Sequence, residues 1–180
     1  MGVVDDKLEI TDVINLYALA LDGHEWDFFD RIFTDDVHAD YEPNEWTGRA
    51  EFVNGFIDFH RAMDLHQHTM MGHLVHVEGD VAYAFTYSNW LLVRHAVEGD
   101  PVWRGTGWYD DRLERTSQGW RISDRRCRVV SYSGNPQVVW LDGDETSAFV
   151  GHVLRHDISD VRYYTAVAAR QPEQSPPLAG

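Results

Sequence analysis

The sequence predicts an α+β domain, with three helical segments leading into a meander of long antiparallel strands. Three observations carry this reading. Up to about residue 60, apolar residues recur at three-to-four spacing, the period of an amphipathic helix. From His66 onward the period falls to two, as in strands with one buried face. Between the alternating runs lie short turn signals, Glu78-Gly79-Asp80 and Ser117-Gln118-Gly119. A strongly bent sheet of this kind can wrap around its helices and form a cone with one open mouth.

The elements follow in order. Residues 1–7 read as a polar lead-in, with Asp6-Lys7-Leu8-Glu9 as a capping box. Leu8, Val13, Ile14, Leu16, Tyr17, Ala20 and Leu21 then form the apolar face of the first helix. Asp22-Gly23 ends it, and Gly23 suits a left-handed position after the last turn. Trp26, Phe29, Ile32 and Phe33 mark a second helix, and residues 37–41 a short strand. After the Glu42-Pro43-Asn44 turn, a third helix runs from Gly48 to about His60, with Phe52, Val53, Phe56, Ile57 and Phe59 inward. Residues 74–77 and 81–95 pair as a hairpin, and 102–115 and 120–133 as two further strands. Val138 to Leu141 suggests a short strand and Ser147 to Leu154 a short helix. Residues 171–180 have the composition of a disordered tail. There is no internal repeat, so 1–170 is expected to be one domain, with a core at about 8–133 and an extension at 137–170.

Composition narrows the function classes. At 180 residues with 43% hydrophobic content, the chain can bury a full core. The formal net charge of −15 makes phosphate backbones and anionic membrane surfaces poor partners. No apolar run reaches membrane-spanning length and no secretory leader is recognisable. A single cysteine, Cys127, rules out an intramolecular disulfide and any Cys-rich metal site. A cytoplasmic location is expected. Aromatics reach 13%, with Trp 7, more than a small core needs, so some rings are candidates to line a pocket.

Among the chemistry-bearing residues, five of the ten histidines crowd one stretch: His60, His66, His68, His73 and His76. His66 and His68 share one face of a strand, which raises the question of a metal site. The Glu that a cupin-like site needs after the second His is missing, Gly72 and His73 standing there, and there is no His-Glu-x-x-His. No metal and no cofactor are expected. Asp22 is more informative, because it ends an apolar helix face at a C-terminus, where a carboxylate is disfavoured. Pairing with an imidazole would stabilise it there. Such a pair fixes the imidazole tautomer and raises its basicity, giving a general base near neutral pH.

An ordered set of short motifs now comes into view. Ile10-Thr11-Asp12-Val13-Ile14 leads to Tyr17, Ala20-Leu21-Asp22-Gly23 and Trp26-Asp27, then to Phe33-Thr34-Asp35-Asp36-Val37 and Gly48-Arg49. Gln67-His68-Thr69-Met70-Met71-Gly72, Val77-Glu78-Gly79-Asp80-Val81-Ala82, Gly107-Trp108-Tyr109-Asp110-Asp111 and Gly119-Trp120-Arg121-Ile122 complete it. Over residues 8–133 this resembles the SnoaL-like branch of the nuclear-transport-factor-2-like (NTF2-like) superfamily, which includes scytalone dehydratase, bile acid 7α-dehydratase, hexachlorocyclohexane dehydrochlorinase, ketosteroid isomerase and polyketide cyclases. The resemblance implies the NTF2-like cone. It also implies a catalytic Asp at the end of the first helix and a His at the start of the first long strand, matching Asp22 and His68. His66 competes with His68, since both face one side. A Tyr five residues before the Asp matches Tyr17. Several of these lyases place a basic residue where this chain has Val129; Arg126 and Arg128 are expected on the opposite face.

The resemblance therefore implies a cofactor-independent lyase that eliminates water, halide or formaldehyde from a small hydrophobic, aromatic or polycyclic substrate. His68 would act as base, Asp22 would orient it, and Tyr17 would be the acid. Tyr41, Trp90, Trp108 and Tyr109 are candidate substrate-binding residues on the pocket wall. Alternatives from the same superfamily are an isomerase that returns the proton to another carbon, or a non-catalytic ligand-binding module such as a dioxygenase small subunit. A homodimer or homotrimer is the implied assembly.

Overall fold

The computed structural model describes residues 2–140 and 160–169. It is an α+β domain in which a curved, unclosed six-stranded sheet wraps helices on its inner side. Helix α1 (Val3–Asp22) buries Ile10, Val13, Ile14, Tyr17, Ala20 and Leu21, one stripe at helical spacing, against the sheet. Helix α2 (Phe29–Ile32) is a single turn preceded by a 3₁₀ turn at Trp26–Phe28. Strand β1 (Phe33–Tyr41) and the short β2 (Asn44–Thr47) precede helix α3 (Arg49–His60), which buries Phe52, Phe56 and Phe59. Then come β3 (Leu65–Glu78), β4 (Val81–Val93), β5 (Val102–Thr116) and β6 (Gly119–Gly134). Helix α4 (Arg162–Ala168) closes the described chain.

The strand order is β2-β1-β6-β5-β4-β3. The meander from β3 to β6 is antiparallel, as the period-two runs predict, and Gly79 turns the first hairpin with φ 65°. The sheet is not antiparallel throughout: β1 runs parallel to β6, with Ala39 opposite Arg125. Two helices inserted around β1 make this long-range pairing invisible to local periodicity.

Several boundaries differ from expectation. The first helix starts at Val3, where the backbone N–H of Gly2 donates to Asp5 Oδ2 at 2.9 Å. Asp6 is therefore no cap. It is buried and accepts hydrogen bonds from Arg115 Nη1 (2.7 Å) and Trp120 Nε1 (3.2 Å), tying α1 to the sheet. Gly23 keeps a right-handed backbone, and the left-handed position falls one residue later, on His24 with φ 55°. The second helix keeps only its α-helical turn at Phe29–Ile32, with a 3₁₀ turn before it, and residues 136–139 form another 3₁₀ turn instead of a strand, its Val138 and Val139 sealed into the core. The expected helix at 147–154 and the tail at 171–180 lie outside the described residues.

Two strand irregularities decide which side chains face inward. In the β5–β6 ladder, Arg112 pairs with Asp124 but Leu113 with Ile122, so Ser123 is an extra residue. Trp120 and Ile122 before it, and Arg125, Cys127 and Val129 after it, all point into the core. Val130 is likewise extra between the Thr106–Ser131 and Gly107–Val129 pairs. On the outer side, Val161 and Tyr163 cover Phe85 and Trp108. Arg162 fastens this segment through Asp110 (Nε to Oδ2, 3.0 Å) and Asp124 (Nη1 to Oδ1, 2.5 Å).

Candidate active site

Helix α1 ends where β3 begins, and this brings Asp22 against two histidines. Asp22 Oδ1 lies 2.8 Å from His68 Nδ1 and 3.3 Å from His66 Nδ1. Both carboxylate oxygens also accept the backbone N–H of His68, at 3.1 and 3.0 Å. His66 and His68 point the same way because they are two apart on a strand, and their side chains are only 3% and 6% exposed. Asp22 remains 27% exposed. Burial alone would raise its pKa, but the hydrogen bonds from His66 and His68 outweigh that and hold the carboxyl well below the usual range. It is a carboxylate at any ordinary pH.

An ionised Asp22 fixes both tautomers, since each Nδ1 facing it must carry a proton. His68 is left with an unprotonated Nε2, which accepts no hydrogen bond from the described residues. Burial lowers the His68 pKa, Asp22 pulls it back up in part, and the net shift is downward. The imidazole is neutral at pH 7, as a general base must be. His66 differs: its Nε2 meets His24 Nε2 at 2.7 Å.

Beyond His68 lies a cavity walled by Tyr17, Tyr41, Phe56, Phe59, His60, Trp90, Leu92, Trp103, Tyr109 and Cys127. The Tyr17 and His68 ring centroids are 6.3 Å apart, edge to face. The Tyr17 hydroxyl is 2.9 Å from the Tyr41 hydroxyl, and Trp90 Nε1 donates to the Tyr109 hydroxyl at 2.9 Å. Burial raises the pKa of all three tyrosines, so each keeps its proton and can donate it. Burial also pushes the Cys127 thiol up to about 12, which leaves it an unreactive wall residue. The free space is about 30 Å³, room for water and little more. A ring-sized ligand has to displace wall side chains.

Tyr17, Tyr41, Trp90, Tyr109, Asp22 and His68 thus converge on one place. Trp108 does not. Adjacent residues of a strand face opposite sides, so Trp108 and Tyr109 cannot line one cavity, and Trp108 packs under Val161 on the outer face. Arg126 and Arg128 face away from Val129, as expected. Arg128 binds Asp40 Oδ2 at 2.5 Å, and Arg126 lies 3.8 Å from Asp110.

Sequence reasoning missed two site residues. His60 is fully buried at the end of α3, its Nδ1 donating to the Phe56 carbonyl at 2.8 Å, and burial holds its pKa well below the ordinary value. Its place on the apolar stripe of α3, four residues after Phe56, was a usable signal. Arg125 is the other. Its guanidinium sits 4.1 Å from the Tyr17 ring centre and 4.4 Å from that of Tyr109, and it binds Asp111 through two 2.7 Å hydrogen bonds. Only the bulge at Ser123 turns it inward.

Asp22, His66 and His68 are also the one set of three or more among the described residues whose possible metal-ligating atoms all lie within 4.8 Å of one another. The three atoms are engaged with each other, so a cation would have to displace the Nδ1 protons.

A curved sheet wrapped around helices in this way is the architecture of solved proteins of the NTF2-like superfamily. Within that class the chain belongs to the SnoaL-like domain family, whose family model matches residues 2–126. An uncharacterized protein of Mycobacterium tuberculosis is 29% identical over 124 residues, 68% of this chain and 84% of that protein. The Kfla4162 protein of Kribbella flavida superposes with a TM-score of 0.70 at 24% identity, covering 74% of this chain and 96% of the other. A candidate scytalone dehydratase from Novosphingobium aromaticivorans gives 0.65 at 18% identity, covering 72% and 87%. The type 2 hexachlorocyclohexane dehydrochlorinase LinA gives 0.66 at 14% identity, covering 72% and 88%. At these identities the structural likeness is one of fold.

Proposed function

We propose that the protein is a cofactor-independent lyase. One observation carries the reading: the 2.8 Å contact from Asp22 to His68 Nδ1, which leaves His68 Nε2 unprotonated beside a cavity of protonated tyrosines. A base and an acid facing one buried cavity are the elements of an elimination. His68 Nε2 takes a proton from a carbon next to a carbonyl group. The electron pair of that C–H bond forms the new double bond as the bond to the leaving hydroxyl breaks. Tyr17 donates its phenolic proton to the departing oxygen, and water leaves. The proton on His68 then returns to the Tyr17 phenolate, which restores the starting state. A halide would leave as the anion and need no acid, and the proton on His68 would then pass to water. Asp22 stabilises the imidazolium that forms at His68. The fold's use by a dehydrochlorinase and a candidate scytalone dehydratase supports the reaction class.

The small free volume favours a compact cyclic β-hydroxy or β-halo ketone over a polycyclic one. The test is exchange of the carbon-bound α-proton with D₂O, followed by NMR over a panel of such ketones, with product formation measured alongside. Exchange and elimination by the wild type, and neither by Asp22→Asn or His68→Ala, is the expected result. Undiminished elimination in either variant overturns the mechanism.

A further inference from the structure

The dyad does not end at Asp22. His24, at the end of α1, meets His66 with the two Nε2 atoms 2.7 Å apart, ring centroids at 4.9 Å and planes within 18°. That centroid distance is what a 2.7 Å contact leaves when two coplanar rings point their nitrogens at each other, so this is a head-to-head N–H···N hydrogen bond. A tetrahedral metal ion shared by the two nitrogens would hold them more than about 3 Å apart. The direction of the bond follows from Asp22. Its carboxylate requires a proton on His66 Nδ1, which makes His66 Nε2 the acceptor and His24 Nε2–H the donor.

We propose that His24 and His66 are positioning residues that make His68 the sole base, through a hydrogen-bonded chain His24–His66–Asp22–His68. The inference rests on the lyase reading for its purpose, but not for its geometry. His66 has both ring nitrogens engaged and cannot accept a proton from a substrate. His68, two residues along the same strand face, has one nitrogen open. Asp22, drawn by two N–H donors, pulls less strongly on His68 than an undivided carboxylate would. The other groups facing His68 are Tyr17 from α1, His60 from α3, with ring centroids 5.9 Å apart, and the Arg125 cation from β6.

The backbone supplies a second observation. Among the described residues, His24 is the one non-glycine with a positive φ, at 55°. Gly23 beside it would take that conformation without penalty, yet it is right-handed. The strained turn falls on His24 instead, its ring stacked on Trp26 at 5.4 Å and aimed at His66. Backbone strain held in place by its surroundings marks a side chain whose direction matters.

The experiment is NMR on the full chain labelled with ¹⁵N-histidine, reading which ring nitrogen of each imidazole carries the proton at neutral pH. The expected pattern is Nδ1–H on His66 and His68 and Nε2–H on His24. A proton on His66 Nε2 with a bare Nδ1 overturns the chain. In His24→Ala, His66 Nε2 should lose its hydrogen-bond donor and its ¹⁵N shift should move to that of an unbonded ring nitrogen, and His24→Gln, which can offer an amide N–H, should restore it. In His66→Phe the His68 pKa should rise by about 0.5 unit, a threefold change in its protonation equilibrium. An unchanged His66 in His24→Ala, or an unchanged His68 in His66→Phe, refutes the positioning role. Should His66→Phe fail to fold, the wild type and the two variants of the exposed His24 still decide. None of these readings needs a substrate, so the lyase can fail on the D₂O exchange assay while the chain stands, or the reverse.

Discussion

Arg125 and Asp111 meet through two parallel 2.7 Å hydrogen bonds with both side chains wholly buried, beneath the rings of Tyr17 and Tyr109. The third nitrogen, Nη1, has no hydrogen-bond partner among the described residues, and two tyrosine faces stand where a further acceptor would. Breaking a buried pair by removing one member leaves an uncompensated charge. Arg125→Met alone should therefore destabilise the protein by about 3–5 kcal/mol. Arg125→Met combined with Asp111→Leu should cost clearly less, as urea denaturation would measure. Equal losses in the single and double variants would show that packing, not charge pairing, holds this region.

The dyad sets the second expectation. Removing a positioned general base lowers turnover by about 10²–10⁴-fold. His68→Ala should fall in that range, and Asp22→Asn should follow it because the amide disturbs the His68 tautomer. Circular dichroism and melting curves would check that the fold survives. Tyr17→Phe should slow loss of water far more than loss of halide, since only the first leaving group needs a proton.

Acid should both inactivate and destabilise the protein. Burial holds the His68 and His60 pKa values below their ordinary range, so the folded state binds fewer protons than the unfolded chain, whose histidines titrate near about 6.5. Stability is lost as pH falls through that value. Asp22, depressed below an unfolded value of about 3.9, contributes stability above it that is lost on further acidification. The acidic limb of kcat/KM should lie below pH 6.5, since His68 stays neutral to lower pH than a free imidazole. A limb above that pH would contradict the assignment of the base.

Gly107 admits no side chain. A Cβ there would stand 1.9 Å from the Arg128 carbonyl oxygen and 2.9 Å from the Trp90 ring. Gly107→Ala should push β5 off β6 or tilt Trp90, losing about 1–3 kcal/mol as overpacking does. It should also weaken the Trp90–Tyr109 hydrogen bond, a change visible in tryptophan fluorescence.

Much of this was legible in the sequence because it is local. The helix stripe from Ile10 to Leu21, the hairpin at Gly79 and the long strands follow from period and turn chemistry, and Tyr17, Asp22 and His68 from short motifs around them. What depends on distant pairing was not. Nothing near Ala39 announces a parallel partner in β6. Asp6 reads as a cap until Arg115 and Trp120 arrive from across the fold. Trp108 and Tyr109 look equally fit for the pocket until strand alternation puts them on opposite faces. His24 carries no signal at all, because its role exists only when the end of α1 meets the start of β3.

The extra residue at Ser123 has a bearing on how this chain can vary. Deleting it would leave a regular strand in which Ile122, Arg125, Cys127 and Val129 still face inward, whereas inserting one further residue after Asp124 would turn Arg125, Cys127 and Val129 toward solvent and swing Arg126 and Arg128 into the core. One paired cation would be exchanged for two unpaired ones. An insertion at that point should thus damage the fold far more than loss of Ser123 does.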